Sequence, residues 1–225
     1  MDGYRPVHGV VAVTLRLRSN MRVLVVAMTG SGKTTLARTL SSGFAGPRAA
    51  PSQAVLVVDC KREPSLAELV PQEARGAPPP GMGGWWRVCP PDGDAAEPIL
   101  EAVWRRGHTW LWIDELSMIG DHRRCPRPLE LIYRQGRARN IGILALTQDP
   151  LRIPVVAKSQ ADAVLVGPIG APDYVSECAR MLHMPHGELA EALAELPRYG
   201  FLWWTWDHAR ERRRPDVVAL GGEGG

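Results

Sequence analysis

The sequence predicts an α/β fold in which a mainly parallel sheet carries helices on its faces and antiparallel strands at its edge. Three features predict it. Short, mostly apolar runs recur within residues 23–36, 54–59, 109–116, 141–146 and 159–167, and such runs read as buried strands. Stretches with helical spacing separate them, as crossovers between parallel strands require. One run, VLVVAMTGSGKTTL from Val23 to Leu36, breaks into a Gly/Ser/Thr turn and resumes as a helix.

At 225 residues the chain can bury one large core, and its patterning assigns residues 1–214 to a single domain followed by a flexible tail at 215–225. An apolar share of 45% is ordinary for a globular protein. No run reaches the roughly 20 apolar residues that span a bilayer, and the start MDGYRPVHG lacks a signal-peptide layout, so an intracellular protein with no transmembrane segment of its own is expected. Cys60, Cys89, Cys125 and Cys178 form no C-x-x-C pair, which argues against a disulfide framework or zinc site; Cys178, His183 and His186 match no standard metal spacing. The net charge is +3, and apart from Lys33, Lys61 and Lys158 the basic side chains are arginines, forked donors compatible with nucleic acid.

Along the chain, residues 7–18 alternate apolar and polar side chains and meet a tight turn at Ser19–Asn20, which predicts a hairpin with the next strand. Thr34 to Ser42 reads as the first helix, and Pro47 to Gln53 as a loop. The strand from Ala54 ends in Asp59, Lys61 and Glu63, at the strand end where open α/β sheets bind ligands. Those charges serve either a ligand or a solvated strand end. Glu63 to Val70 spells a short helix, Pro71 to Gly84 a mobile surface loop, Trp85 to Val88 a short strand, and Ala95 to Arg106 a helix with Ile99, Val103 and Trp104 inward. The Trp85–Trp86 and Trp203–Trp204 pairs read as packing. Leu116 to Pro128 is a Pro-bounded loop containing Asp121, Arg123, Arg124 and Arg127, and a helix follows from Leu129 to Ala138. After the strand at Ile141, Pro172 to Leu182 and Gly187 to Leu196 read as helices and Phe201 to Trp206 as the last strand. Arg210 to Arg214 reads as solvated.

The chemistry concentrates at the glycine turn. Thr29, Gly30, Ser31, Gly32, Lys33, Thr34 and Thr35 form a phosphate-binding loop: the glycines let backbone N–H groups turn inward, and the helix start adds the positive end of its dipole. Lys33 is placed for the β- and γ-phosphates of ATP, the Thr34 hydroxyl for Mg²⁺, and Thr35 for the α-phosphate. The full G-x-x-x-x-G-K-[ST] pattern would start at position 27, which is Ala27; alanine fits there if its φ stays negative. The run TWLWIDEL delivers Asp114 and Glu115 from a buried strand, Asp114 suited to the Mg²⁺ shell and Glu115 to polarise an attacking water. The strand IGILAL ends in Thr147–Gln148, where an amide could sense the γ-phosphate. The absence of an N-K-x-D segment disfavours a GTPase.

The run YRQGRARNIGILALTQDP resembles the FtsK/HerA branch of P-loop motor ATPases, where an R-x-G-R helix end precedes a strand closing in T-Q. The loop G-S-G-K-T, the D-x-K after the second strand, the D-E after the acidic strand and the late LPRYGFLWW segment follow the same order, over roughly residues 21–205. The resemblance implies a RecA-like P-loop NTPase fold, Gln148 as the sensor, and one of Arg134, Arg137 and Arg139 as a finger donated to a neighbouring subunit's ATP. It therefore implies a ring, usually a hexamer, acting on double-stranded DNA. By size and lack of added domains the plan resembles the genome-packaging ATPases of membrane-containing icosahedral viruses. The expected setting is then the cytoplasm of an infected cell, at a capsid packaging vertex, with capsid or virion membrane proteins as partners. A conjugation or filamentous-phage assembly motor, and a nucleotide-gated assembly protein with little turnover, are the alternatives.

Overall fold

The computed structural model describes residues 17–45, 52–71, 73–211 and 215–220. Residues 7–16 of the strand predicted at 7–18, most of the 47–53 loop and the arginines at 212–214 lie outside the described residues.

The strands are β1 (Arg22–Val26), β2 (Ala54–Val58), β3 (Gly84–Val88), β4 (Thr109–Ile113), β5 (Ile141–Thr147), β6 (Ala163–Val166), β7 (Gly200–Thr205) and β8 (Asp216–Ala219). They form one sheet in the order β3-β2-β4-β5-β1-β6-β7-β8. The first six run parallel, while β7 and β8 each lie antiparallel to the preceding neighbour. The helices are α1 (Lys33–Ser42), α2 (Pro64–Leu69), α3 (Gly93–Arg106), α4 (Leu116–Ile119), α5 (Arg127–Gln135), α6 (Val155–Gln160), α7 (Pro172–Leu182), α8 (His186–Ala194) and α9 (Trp206–Glu211). This is the predicted α/β class.

Side chains alternate across the pleat and so supply two cores. Val23 and Val25 join Leu36, Trp110 and Trp112 on one face, while Leu24 and Val26 join Leu100, Ile132, Cys178 and Leu189 on the other. Trp203 and Trp204, on β7, are likewise buried on opposite faces. The tryptophan pairs are packing elements: Trp85 meets Trp112 edge-on at 6.5 Å.

Several local expectations are corrected. Residues 216–219 form β8, hydrogen-bonded to β7 from Gly200↔Ala219 to Trp203↔Asp216, so that part of the expected flexible tail is an edge strand. Cross-strand pairing supplies what the short apolar pattern alone does not announce. The loop predicted from Leu116 begins with α4. Helices α6 and α9 carry no strong periodicity and were not expected from sequence. The stretch expected to be a mobile loop is tied to the body: Glu73 bridges to Arg87, and Arg106 donates to the carbonyls of Pro78 and Pro79 at 3.0 and 3.3 Å. At the turn before β1, Met21 N–H bonds to the Arg18 carbonyl at 3.0 Å, but the hairpin expected with β1 is corrected: both edges of β1 are taken by parallel partners, β5 and β6.

Candidate active site

The phosphate loop leaves the C-terminal end of β1 and enters α1 at Lys33. Gly30 has φ of 76° and Gly32, the residue capping α1, has φ of 88°, left-handed conformations that side chains resist. Ala27 is wholly buried and is not among the described residues with positive φ, so the departure from the glycine pattern costs no strain. Its N–H bonds to the Thr147 carbonyl at 3.2 Å.

Strand order builds the rest. β5 lies between β1 and β4, so Thr147 and Gln148 at its tip stand between the loop and the acids. Thr29 Oγ1 donates to Gln148 Oε1 at 2.7 Å, linking the loop directly to the tip of β5. Asp114 and Glu115 follow β4, and each is only 5% exposed.

Glu115 is held on both oxygens. Oε1 accepts from Ser117 Oγ at 2.8 Å and from Thr147 Oγ1 at 3.0 Å, while Oε2 accepts from Lys61 Nζ at 2.8 Å. The turn that carries Lys61 is closed by Asp59, a fully buried carboxylate: one oxygen pairs with Arg87 at 3.2 Å and the other accepts the Glu63 N–H at 3.0 Å. Of the charges flagged after β2, Lys61 therefore reaches the site, Glu63 lines its rim, and Asp59 is committed to the turn. The D-x-K spacing was the available signal for Lys61. Ser117 had none.

Burial dominates the electrostatics. It pushes the Asp114 carboxyl up to about 7; Lys61 opposes the rise, and Asp59, Glu63 and Glu115 add to it. Burial also lowers the pKa of Lys33, against the pull of Glu115, while its Nζ donates to the Met28 carbonyl at 2.7 Å. That bond parks the lysine beneath its own loop.

These residues line a cleft of about 730 Å³ containing Thr29, Gly30, Gly32, Lys33, Thr34 and Thr35 with Lys61, Asp114 and Gln148. A magnesium nucleotide fits this donor set. The buried Ser31 Oγ in the loop has no partner, and a hydroxyl, a carboxylate and phosphate oxygens are the hard ligands Mg²⁺ takes. Thr34 and Asp114 are the residues that would hold it.

The three candidate finger arginines are elsewhere. Arg137 and Arg139 lie in a 3₁₀ turn (Gly136–Arg139) that enters β5 at its N-terminal end, and Arg134 lies in the last turn of α5. Seven residues of β5, at about 3.3 Å each, put them about 20 Å from the loop of their own chain. Arg137 pairs with Asp162, which also accepts from Arg22. Arg139 donates to the carbonyls of Trp104 and Arg105 at 2.7 and 2.8 Å, closing the end of α3. Among the described residues, Arg134 makes an exposed pair with Glu130, four residues earlier.

The loop after α4 is ordered by Asp121, whose Oδ1 accepts the N–H groups of Arg123 and Arg124 at 2.7 and 2.9 Å. Arg124 also pairs with Asp94 of α3.

No protein-family model matches the chain, and no curated protein matches it. Solved structures do. The genome packaging NTPase B204 from Sulfolobus turreted icosahedral virus 2, in complex with AMP, has a TM-score of 0.70 at 15% identity, over 91% of this chain and 100% of that one. Its AMPPCP complex has a TM-score of 0.65 at 17% identity over the same shares. The cytoplasmic domain of the Thermomonospora curvata Type VII secretion ATPase EccC has a TM-score of 0.55 at 15% identity, over 90% of this chain but 24% of that one. The pCW3 conjugation coupling protein TcpA, with ATPγS, has a TM-score of 0.53 at 15% identity, over 83% and 58%. At these identities the likeness is one of fold, that of a P-loop NTPase.

Proposed function

We propose that the chain is a Mg·ATP-hydrolysing motor that translocates double-stranded DNA and packages a viral genome into a preformed capsid. The observation that carries the ATPase reading is the juxtaposition of the glycine-shaped loop, the Asp114–Glu115 pair and Gln148 at one end of three neighbouring strands, with Thr29 bonded to Gln148. The packaging reading is supported by the full-length fold likeness to B204.

In this reading the loop N–H groups and Lys33 hold the β- and γ-phosphates, and Thr35 takes the α-phosphate. Lys33 leaves the Met28 carbonyl to do so. Thr34 and Asp114 would hold Mg²⁺, which would supply charge neutralisation for the phosphates. Glu115 accepts a hydrogen bond from the attacking water, and Ser117, Thr147 and Lys61 fix its orientation. Gln148 couples the γ-phosphate position to the β5 tip through Thr29. A subunit cannot complete its own site with Arg134, Arg137 or Arg139, so a neighbour's arginine must arrive in a ring, expected to be hexameric. Arg134 is the least committed of the three. Arg123 and Arg124 are assigned to DNA; an unchanged salt slope of DNA binding in the Arg123→Ala, Arg124→Ala variant would move that contact elsewhere.

The test is steady-state ATPase rate against protein concentration, with and without linear double-stranded DNA at fixed low salt. A shared-site motor gives a rate that rises more than proportionally with concentration and again with DNA. A rate proportional to concentration and indifferent to DNA rejects it. That outcome favours the second reading, a nucleotide-gated assembly protein with little turnover, to which the Lys61–Glu115 ion pair lends support by occupying the glutamate. The coupling-protein fold likeness supports a conjugation motor as a further alternative, which a membrane-anchored partner would favour.

A further inference from the structure

We propose that the end of the β7–β8 hairpin is the nucleobase site, with the Tyr199 ring as stacking face and Leu220 as apolar wall for a purine nucleotide. This rests on the nucleotide-binding reading of the phosphate loop.

Both side chains line the cleft that holds the loop, although they belong to the opposite end of the sequence. They stand side by side because Leu220 N–H bonds to the Tyr199 carbonyl at 3.3 Å, one step beyond the Gly200↔Ala219 pair. Both press on the loop itself. A Cβ added at Gly32 would lie 3.2 Å from Tyr199 Cδ1 and 3.3 Å from Leu220 Cδ1. Tyr199 is held there in a left-handed conformation, φ 59°, unusual for an aromatic residue. One ring face is already used: the Arg198 guanidinium lies 4.9 Å from the ring centroid, and its Nη2 donates to Tyr199 Oη at 2.9 Å. Arg198 lines a second, smaller cavity of about 230 Å³ behind the loop and not the nucleotide cleft, whereas Tyr199 lines both. Tyr199 thus borders both cavities and Arg198 only the smaller one, and in the proposal the ring face not covered by Arg198 takes the base.

Polarity selects the part of the ligand. The phosphates take the charged side at Lys33, Lys61 and Asp114, so an aromatic and a leucine beyond Gly32 have no phosphate to bind. The base extends past the α-phosphate, on the Thr35 side, and Thr35 and Leu220 together line the adjoining cavity of about 610 Å³ that runs along α1. Space for base and ribose therefore continues from the phosphate site past Thr35 and Leu220. Stacking on an aromatic face is tolerant of which base is bound and favours the larger purines.

The experiment is calorimetric titration of the full chain with Mg·ATPγS and, separately, with Mg·tripolyphosphate, which has no base. Tyr199→Ala should weaken ATPγS about 5- to 150-fold, the span of one lost stacking contact, and leave tripolyphosphate within twofold. Tyr199→Phe should keep ATPγS within threefold, and Leu220→Ala should lower it severalfold with the same selectivity. Equal loss for both ligands would mean that the hairpin only supports the loop, and unchanged ATPγS affinity in both Tyr199→Ala and Leu220→Ala would place the base elsewhere; either result overturns the proposal. A wild-type chain that binds neither ligand overturns the nucleotide reading and this one with it.

Discussion

Replacing Asp114 with asparagine removes a charge from a buried position while keeping the side-chain shape, and the ligand-free protein should become more stable. The carboxyl goes from an ordinary 3.8 to about 7 on folding, chiefly through burial. The sign follows from proton counting. Between these values the native state binds more protons than the unfolded state, so this group's contribution falls as pH rises from about 4 to about 7 and then levels off. At about 1.4 kcal/mol per tenfold change in proton affinity, the charged carboxylate costs about 4 kcal/mol at pH 8. The asparagine amide must itself be buried, at about 1 kcal/mol, so the net gain should be about 3 kcal/mol at pH 8 and under about 1 kcal/mol at pH 5. Urea unfolding followed by tryptophan fluorescence, with eight tryptophans to report it, measures both. Equal gains at the two pH values, or no gain at pH 8, would refute burial as the cause. The same variant should lose the stabilisation that Mg·ATPγS gives the wild type, because the site's charge is held in place at the expense of the empty fold.

Lys61→Met removes the cation that restrains the rise in Asp114, so half-maximal Mg-dependent nucleotide binding should move to higher pH; a fixed or lower midpoint between pH 6 and 9 contradicts the assignment. Glu115→Gln should cut turnover by about 10²- to 10⁴-fold with ATPγS affinity kept within a few fold, and unchanged turnover of bound ATP means that another group aligns the water. Arg139→Ala uncaps α3 and should cost about 1–2 kcal/mol in urea unfolding, whereas Arg134→Ala should cost under about 0.5 kcal/mol. If Arg134 is the donated finger, its variant also loses about 10³-fold or more in ring ATPase rate, and a rate that falls only with Arg139→Ala reverses the choice.

Much of the site was legible because it is local in sequence. The strand, glycines and helix of residues 23–36 specify the cradle without help from elsewhere, since left-handed φ at Gly30 and Gly32 is a property of those residues in that turn. The buried strand TWLWI carries Asp114 and Glu115 to its C-terminal end by the same local logic. The order of the apolar runs made a mainly parallel sheet the only economical reading. What was not legible depends on neighbours. Lys61 could be seen as a charge at a strand end, but not as the partner of Glu115, because that contact exists only once β2 lies beside β4. Residues 216–219 looked like tail, since a short edge strand has no pattern of its own and is made by hydrogen bonds to β7.

By itself, then, the sequence determined the glycine turn between β1 and α1, the acidic pair after β4, the amide at the tip of β5 and the α/β class, all set by dihedral preference and apolar periodicity within a few residues. Tertiary structure alone decided that β5 separates loop from acids, that Lys61 holds Glu115, that the three arginines face away from their own site, and that Tyr199 and Leu220 close over Gly32. Each of these is a contact between distant segments, and burial rather than spacing gives it its energy.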